Sequence, residues 1–214
     1  MKIALIGATG FVGSAVLNEA LQRGHEVTAI ARNTDKITKR DAKLKTVTAD
    51  IDDIANLAKI LTGHDAVVSA FNAGWTNPNL YADFIKGSEA IQKAVKGSGV
   101  KRLLVVGGAG SLEIAPGVQL VDTPEFPEQW KSGATAARDY LNNLKKETDL
   151  DWTFLSPAIN LHPGKRTATF RLGSDQPVFD ANGKCEISVE DLAVAIIDEL
   201  ENNRSIKRRF TVGY

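Results

Sequence analysis

Residues 1–33, MKIALIGATGFVGSAVLNEALQRGHEVTAIARN, set three glycines three apart, Gly7, Gly10 and Gly13, between an apolar run and an amphipathic stretch. Strand, turn and helix in that order make a nucleotide-binding turn rather than a flexible loop. Gly7 permits the sharp exit from the strand, Gly10 lets backbone amides approach a pyrophosphate, and Gly13 lets the helix pack close to the sheet. Thr9, Phe11 and Val12 complete the turn, and the helix amino terminus offers partial positive charge to the phosphates. The glycines alone would be weak evidence; their register with a strand beginning at residue 2 is what carries the reading.

Outward from this motif, short β-branched runs alternate with longer helical patterns to about residue 156, as a parallel sheet with crossover helices requires. Strands are expected at Lys2–Ile6, Glu26–Ala31, Leu44–Thr48, Ala66–Phe71, Arg102–Val106 and Trp152–Leu155, giving six parallel strands. Helices are expected at Val12–Arg23, Ile54–Leu61, Pro78–Gly97, Gly133–Thr148 and about 189–202. Asn77-Pro78 reads as the start of the third helix, and Ser188-Val-Glu-Asp191 as a capping-box-like start of the last. Residues 157–187, with scattered Gly, Pro, Asn and Asp, read as an irregular lobe within one domain spanning 1–214. The fold class is therefore α/β, a doubly wound parallel sheet with a small irregular carboxyl-terminal substrate lobe.

Bulk properties narrow the partners. The chain has 214 residues, 43% of them hydrophobic, with Lys plus Arg and Asp plus Glu equal at 26 each. That supplies one sizeable core and no net field to draw nucleic acid or an anionic membrane, so a small-molecule partner is expected. No apolar run approaches the ~20 residues of a bilayer span. The single cysteine and the absence of a signal-peptide pattern point to the cytoplasm, with the protein a monomer or homodimer.

The spacing Gly-x-x-Gly-x-x-Gly resembles that of the short-chain dehydrogenase/reductase superfamily, in its extended and atypical branches, over essentially the whole chain. "TADIDD" (48–53) is similar to the segment whose acid and following backbone contact adenine, which implies roles for Asp50 and Ile51. "SAFNAG" (69–74) is similar to the strand-four loop beside the adenine ribose, implying Ala70, Phe71 and Asn72. "LLVVGGAGSLE" (103–113) and "DWTFLSPA" (151–158) resemble a narrower group, atypical members named for NADH-flavin reductase or sugar-epimerase activity, with kinship to repressor-like and biliverdin/flavin-reducing relatives. That resemblance implies Gly107, Gly108, Ser156, Pro157 and Ala158 around the nicotinamide.

In this fold an acid at the end of strand two accepts from the ribose 2′-hydroxyl, whereas an arginine pairs with a 2′-phosphate. Here the strand ends Ala31-Arg32-Asn33, with Arg32 19 residues after Gly13. Arg32 favours NADP, with NAD tolerated if its side chain is flexible; the other reading is a solvated loop arginine.

Typical superfamily members reduce a carbonyl with a tyrosine acid, a lysine four residues later and a serine. Tyr140 has Leu144 four later, and Lys145 lies about 140° away around the helix, on another face. The pair is absent; family spacing puts Lys131 and Thr135 at its positions. A flavin or quinone needs no such acid, because its conjugated ring disperses charge and positioning carries the catalysis. In that scheme Ser111 donates a hydrogen bond to the acceptor, or else caps its loop, and Trp75 and Trp130 offer it aromatic surface, or else simply pack. Lys165, Arg166 and Arg171 either bind an acceptor phosphate or are solvated. Cys185 reads as a packed small hydrophobe, His25, His64 and His162 as surface or turn residues with no metal site among them, and SIKRRF (205–210) as a solvated turn before a last strand. The sequence thus points to an NAD(P)H-dependent oxidoreductase, with a non-catalytic redox sensor as the alternative and a sugar-nucleotide epimerase or dehydratase third.

Overall fold

β1 (Lys2–Ile6) sets the layering. Its side chains alternate across the sheet: Ile3 and Leu5 enter one core cluster, Ala4 and Ile6 the other. Both faces are covered, so the strand reads as a continuous apolar run rather than alternating with polar residues. The computed structural model describes all 214 residues. After β1 come α1 (Phe11–Gln22), β2 (Glu26–Ala31), β3 (Leu44–Thr48), α2 (Ile54–Leu61), β4 (Ala66–Ser69), α3 (Leu80–Ser98) and β5 (Arg102–Val106). A hairpin of β6 (Glu113–Ala115) and β7 (Val118–Gln119) precedes α4 (Glu128–Leu144) and β8 (Asp151–Ser156). The chain ends with β9 (Asn160–His162), β10 (Arg171–Gly173), β11 (Glu186–Ser188), α5 (Val189–Asn202) and β12 (Arg208–Gly213).

The eight-stranded sheet runs β10-β12-β8-β5-β4-β1-β2-β3, and every pairing is parallel except β10 with β12. Residues of α1 and α5 pack in one core, and those of α2, α3 and α4 in the other. The order reverses at β1, whose neighbours are β2 and β4, so the chain leaves β1 and β4 towards helices on opposite faces, α1 and α3, and a crevice opens at the strands' carboxyl ends.

Several expectations are corrected. The sheet has seven parallel strands rather than six, because β12 follows the basic turn and joins β8. Residues 157–187 are not wholly irregular: β9 and β11 pair with each other, and β10 closes the edge of the main sheet. α3 starts at Leu80, since the Asn77 side chain accepts from the Asn79 amide at 2.9 Å and holds a separate turn around Pro78. α4 starts five residues before the expected Gly133 and stops at Leu144. Ser188 caps α5 as expected, accepting from the Asp191 amide at 3.1 Å.

Candidate dinucleotide-binding cleft

Two turns build the cleft. The chain leaves β1 through Gly7 at φ 81°, with the Gly7 amide donating to the Ile30 carbonyl at 3.1 Å. A Cβ on Gly7 would lie 2.5 Å from the Ala70 carbonyl oxygen, and one on Gly13 would overlap the Gly7 carbonyl. Glycine at both positions lets the β1 and β4 turns lie side by side over the start of α1. Gly10 is the residue before α1; no side chain caps the helix and no acid stands in its first turn. The amides of Phe11, Val12 and Gly13 therefore face outward without an intrachain partner, as an anion-binding helix start requires.

Around these turns lies a cleft of about 410 Å³. Gly7, Thr9 and Gly10 line it from the first turn, Arg32 from the end of β2, Asp50, Ile51 and Asp52 from beyond β3, and Ala70, Phe71, Asn72 and Ala73 from beyond β4. Asn77, Asp83, Lys86 and Gly87 close it from the α3 side. Phe11, Val12 and Gly13 lie at its helix end rather than among its lining residues. The sequence reading passed over the α3 contribution. Its signal is the lone glycine inside a helical pattern: a Cβ on Gly87 would meet the Phe71 ring at 2.6 Å and Ile51 Cδ1 at 2.8 Å, so only glycine lets both side chains rest on the helix. Phe71 in turn stacks on Phe84, ring centres 6.0 Å apart.

Charge in the cleft is divided unevenly. Lys86 pairs with Asp52 at 2.7 Å, and that carboxylate raises the lysine's pKa. Asp50 accepts from the Asp52 amide at 3.0 Å. Arg32 is exposed and makes no hydrogen bond or ion pair with the rest of the chain, leaving its planar donor set available for a ligand. Glycine cradle, open helix terminus and unpaired arginine fit a phosphorylated dinucleotide.

The residues expected around the nicotinamide and the acceptor, Gly107, Gly108, Ser156, Pro157, Ala158, Trp75 and Trp130, do not line this cleft. Gly107 follows β5, its amide bonded to the Leu155 carbonyl at 2.8 Å, and a Cβ there would overlap the Phe154 ring. Gly108 faces Ala137 of α4, while Ser156, Pro157 and Ala158 are buried at the end of β8. Trp75 and Trp130 meet edge to face with centres 4.9 Å apart, 54% and 42% exposed, and Trp75 rests on Gly133. Lys131 is exposed, 3.8 Å from Glu128, and Thr135 is half-buried; neither lines the cleft.

Ser111 is not placed to meet an acceptor. It is 1% exposed, and its hydroxyl accepts from Arg209 at 3.1 Å and lies 3.4 Å from the Ser156 hydroxyl. The candidate phosphate-binding cluster also separates. Arg166 is bonded to Glu19 at 2.7 and 2.9 Å, and Arg171 to the Phe179 and Tyr214 carbonyls. Arg209 of the basic 205–210 turn is buried, not solvated, and His25 is buried between the amino terminus and Glu201. Cys185 is packed, with burial raising its thiol pKa.

All three tyrosines lie outside the cleft. Tyr140 is buried between α3 and α4, donates to Gln92 at 3.2 Å and has its pKa raised by burial. Tyr81 donates to Asp139 at 2.8 Å, and Tyr214 to Asp191 at 2.8 Å. No tyrosine lines the cleft, and the hydroxyl of each is bonded to another side chain.

Comparison with known proteins agrees with this geometry. The family described as NAD(P)H-binding matches residues 7–203. The chain is 40% identical to the Bacillus subtilis protein YwnB, covering 99% of this chain and 98% of that protein. It is similar to a Bacteroides thetaiotaomicron structure provisionally named an epimerase, at 49% identity and TM-score 0.93 over 100% of this chain and 96% of that one. A Streptococcus pneumoniae structure provisionally named an NADH-flavin reductase aligns at 36% identity and TM-score 0.87, over 100% and 99% of the two chains. No helix is long and apolar enough to cross a membrane.

Proposed function

Because this chain belongs to the NAD(P)H-binding family, we propose that it is an NADPH-dependent reductase passing hydride directly to a flavin, quinone or similarly conjugated small molecule. One observation carries the reading: a cleft suited to a dinucleotide, with an unpaired Arg32 at the end of β2, has no tyrosine in its lining, and each tyrosine hydroxyl is bonded elsewhere. When bound, the reduced nicotinamide supplies a hydride to the acceptor while water supplies any proton, a division that needs no protein acid. The protein's part is positional. Gly7, Gly10 and the start of α1 hold the pyrophosphate, Arg32 the 2′-phosphate, and Asp50 to Asp52 with Phe71 the adenosine. Gly107, Gly108, Ser156, Pro157 and Ala158 wall the nicotinamide, and Trp75 with Trp130 offers an aromatic face to the acceptor. The protein acts in the cytoplasm, as a monomer or homodimer.

The missing acid also favours a second reading, a redox-sensing protein that holds the dinucleotide and performs no chemistry. Epimerisation, suggested by the Bacteroides neighbour, stands third, because the superfamily's epimerases resemble its reductases in using the tyrosine this cleft lacks. The test is anaerobic stopped-flow absorbance of NADPH and protein against riboflavin, flavin mononucleotide, menadione and a benzoquinone. Loss of the reduced nicotinamide band at a rate proportional to protein is expected. Saturable binding with a persistent band for every acceptor would replace the reductase with the sensor.

A further inference from the structure

Arg209 raises a question that neither strand pairing nor the cleft answers. It sits on β12 beside Phe154 of β8, and its side chain is 3% exposed. A buried cation is costly to desolvate, and an apolar residue at such a strand position would incur no such cost. Its partners explain it. Nη1 donates to the Ser111 carbonyl at 2.5 Å and the Ser111 hydroxyl at 3.1 Å; Nε donates to Asp175 Oδ1 at 3.0 Å; Nη2 donates to the Asp175 carboxylate and carbonyl. All the bonds go to irregular backbone or to the side chains it carries. Ser111 ends the turn that begins with Gly107 and Gly108, and Asp175 lies in the segment after β10, where its carbonyl also accepts from the Glu113 amide at 2.8 Å. One guanidinium thus ties the turn after β5 to the carboxyl-terminal segment, across the end of β8. The hydroxyl of Ser156, buried at the end of β8, lies 3.4 Å from the same Ser111 hydroxyl.

We infer that Arg209 is a positioning residue for acceptor binding. It fixes the Gly107–Ser111 turn and, through Asp175, sets residues 173–178 against it, so that the acceptor end of the cleft has a defined width. This rests on the reductase reading for its effect on turnover, but the clamp itself is physical and can be read without turnover. The planar fork matters because its separate nitrogens reach Ser111 through Nη1 and Asp175 through Nε and Nη2, whereas the three donors of lysine radiate from a single nitrogen and do not span the two partners. The dinucleotide cleft over β1 and β4 includes none of these residues.

The test uses full-length protein and the variants Arg209→Ala, Arg209→Lys and Asp175→Ala. Asp175 is 60% exposed, and in Asp175→Ala the buried Arg209 keeps its bonds to the Ser111 carbonyl and hydroxyl and to the backbone carbonyl of residue 175, so this variant is the milder of the two if Arg209→Ala does not fold. Menadione is the acceptor probe, NADPH affinity is read by fluorescence titration, and amide hydrogen exchange is followed by mass spectrometry. Expected is a rise of about tenfold in the menadione KM for Arg209→Lys, with a smaller rise for Asp175→Ala, while the NADPH Kd stays within about twofold. Exchange should quicken in 107–112 and 173–178 and not in β1 or β4, and millimolar guanidinium should restore slow exchange to Arg209→Ala. If KM and NADPH Kd move together, or exchange quickens uniformly or in β12 alone, Arg209 merely supports the fold and the inference fails. If wild-type protein turns over no acceptor, the reductase reading fails, and the segment-specific exchange and its rescue still decide the clamp.

Discussion

At the scale of single residues, cofactor choice turns on Arg32. It is the lining cation without a carboxylate partner, since Lys86 is paired to Asp52. A charge-assisted bond from guanidinium to phosphate contributes about 1.5–3 kcal/mol. Arg32→Ala is therefore expected to weaken NADPH binding by roughly 10- to 100-fold while changing NADH binding by less than about threefold, measured by calorimetric titration. Equal losses would mean that the side chain meets no 2′-phosphate. Residues of this kind were legible in the sequence where backbone geometry dictates them: Gly7 and Gly13 stand where a Cβ would strike the neighbouring turn, and no other side chain fits. Ser111 was not, because what decides its role is Arg209, 98 residues away, and no local pattern announces a partner at that distance.

At the scale of elements, what the sequence could locate depended on burial. The strands β1, β2 and β5 begin and end where apolar patterning places them, because both their faces are covered and nearly every residue contributes to the signal; β3 also matches its expected bounds, although it is the sheet's edge strand and mostly exposed. The first turn of α4, Glu128 to Ser132, is exposed and, apart from Trp130, polar, so its helicity has no apolar periodicity to reveal it. The end of the same helix rests on a feature that is testable. Glu147, just beyond α4, is largely buried, which would raise its pKa. The Asp149 amide at 2.6 Å, Gln92 at 2.9 Å and Lys96 at 3.1 Å outweigh burial and bring it down to about 2. The last two donors belong to α3, so one carboxylate joins the α4–β8 turn to a neighbouring helix. Its folded pKa is depressed, so the stabilisation is complete above the unfolded value of 4.5 and is lost as pH falls from there towards 2. Glu147→Gln should cost about 2 kcal/mol at pH 7, with the difference from wild type shrinking between pH 4.5 and 2. Urea midpoints at pH 7, 4 and 3 measure this, and a pH-independent difference would remove the charge from the account.

At the scale of the whole molecule, the cleft joins two halves of the sheet that meet along β1 and β4. Its lining comes from turns after β1 and β2 on one side and after β4 on the other, with α3 closing the top. A dinucleotide bound there contacts both halves at once and stabilises only the folded chain. At a free concentration about 100 times its Kd, the gain is about 2.7 kcal/mol, which for a chain of this length raises Tm by roughly 5–10 °C. The comparison between the two oxidation states separates the functional readings. A ligand shifts a conformational equilibrium only through differential affinity, so a sensor must bind NADPH and NADP with Kd values well apart, on the order of tenfold, or about 1.4 kcal/mol. A reductase whose interactions are concentrated on the pyrophosphate, adenosine and 2′-phosphate holds both forms through groups that do not change on oxidation, and similar Tm shifts at equal concentrations are expected of it. Thermal unfolding at matched NADPH and NADP concentrations therefore bears on function before any acceptor is known. Near-equal shifts support the reductase; a gap of several degrees would mean that the nicotinamide ring itself is being read, as the sensor requires.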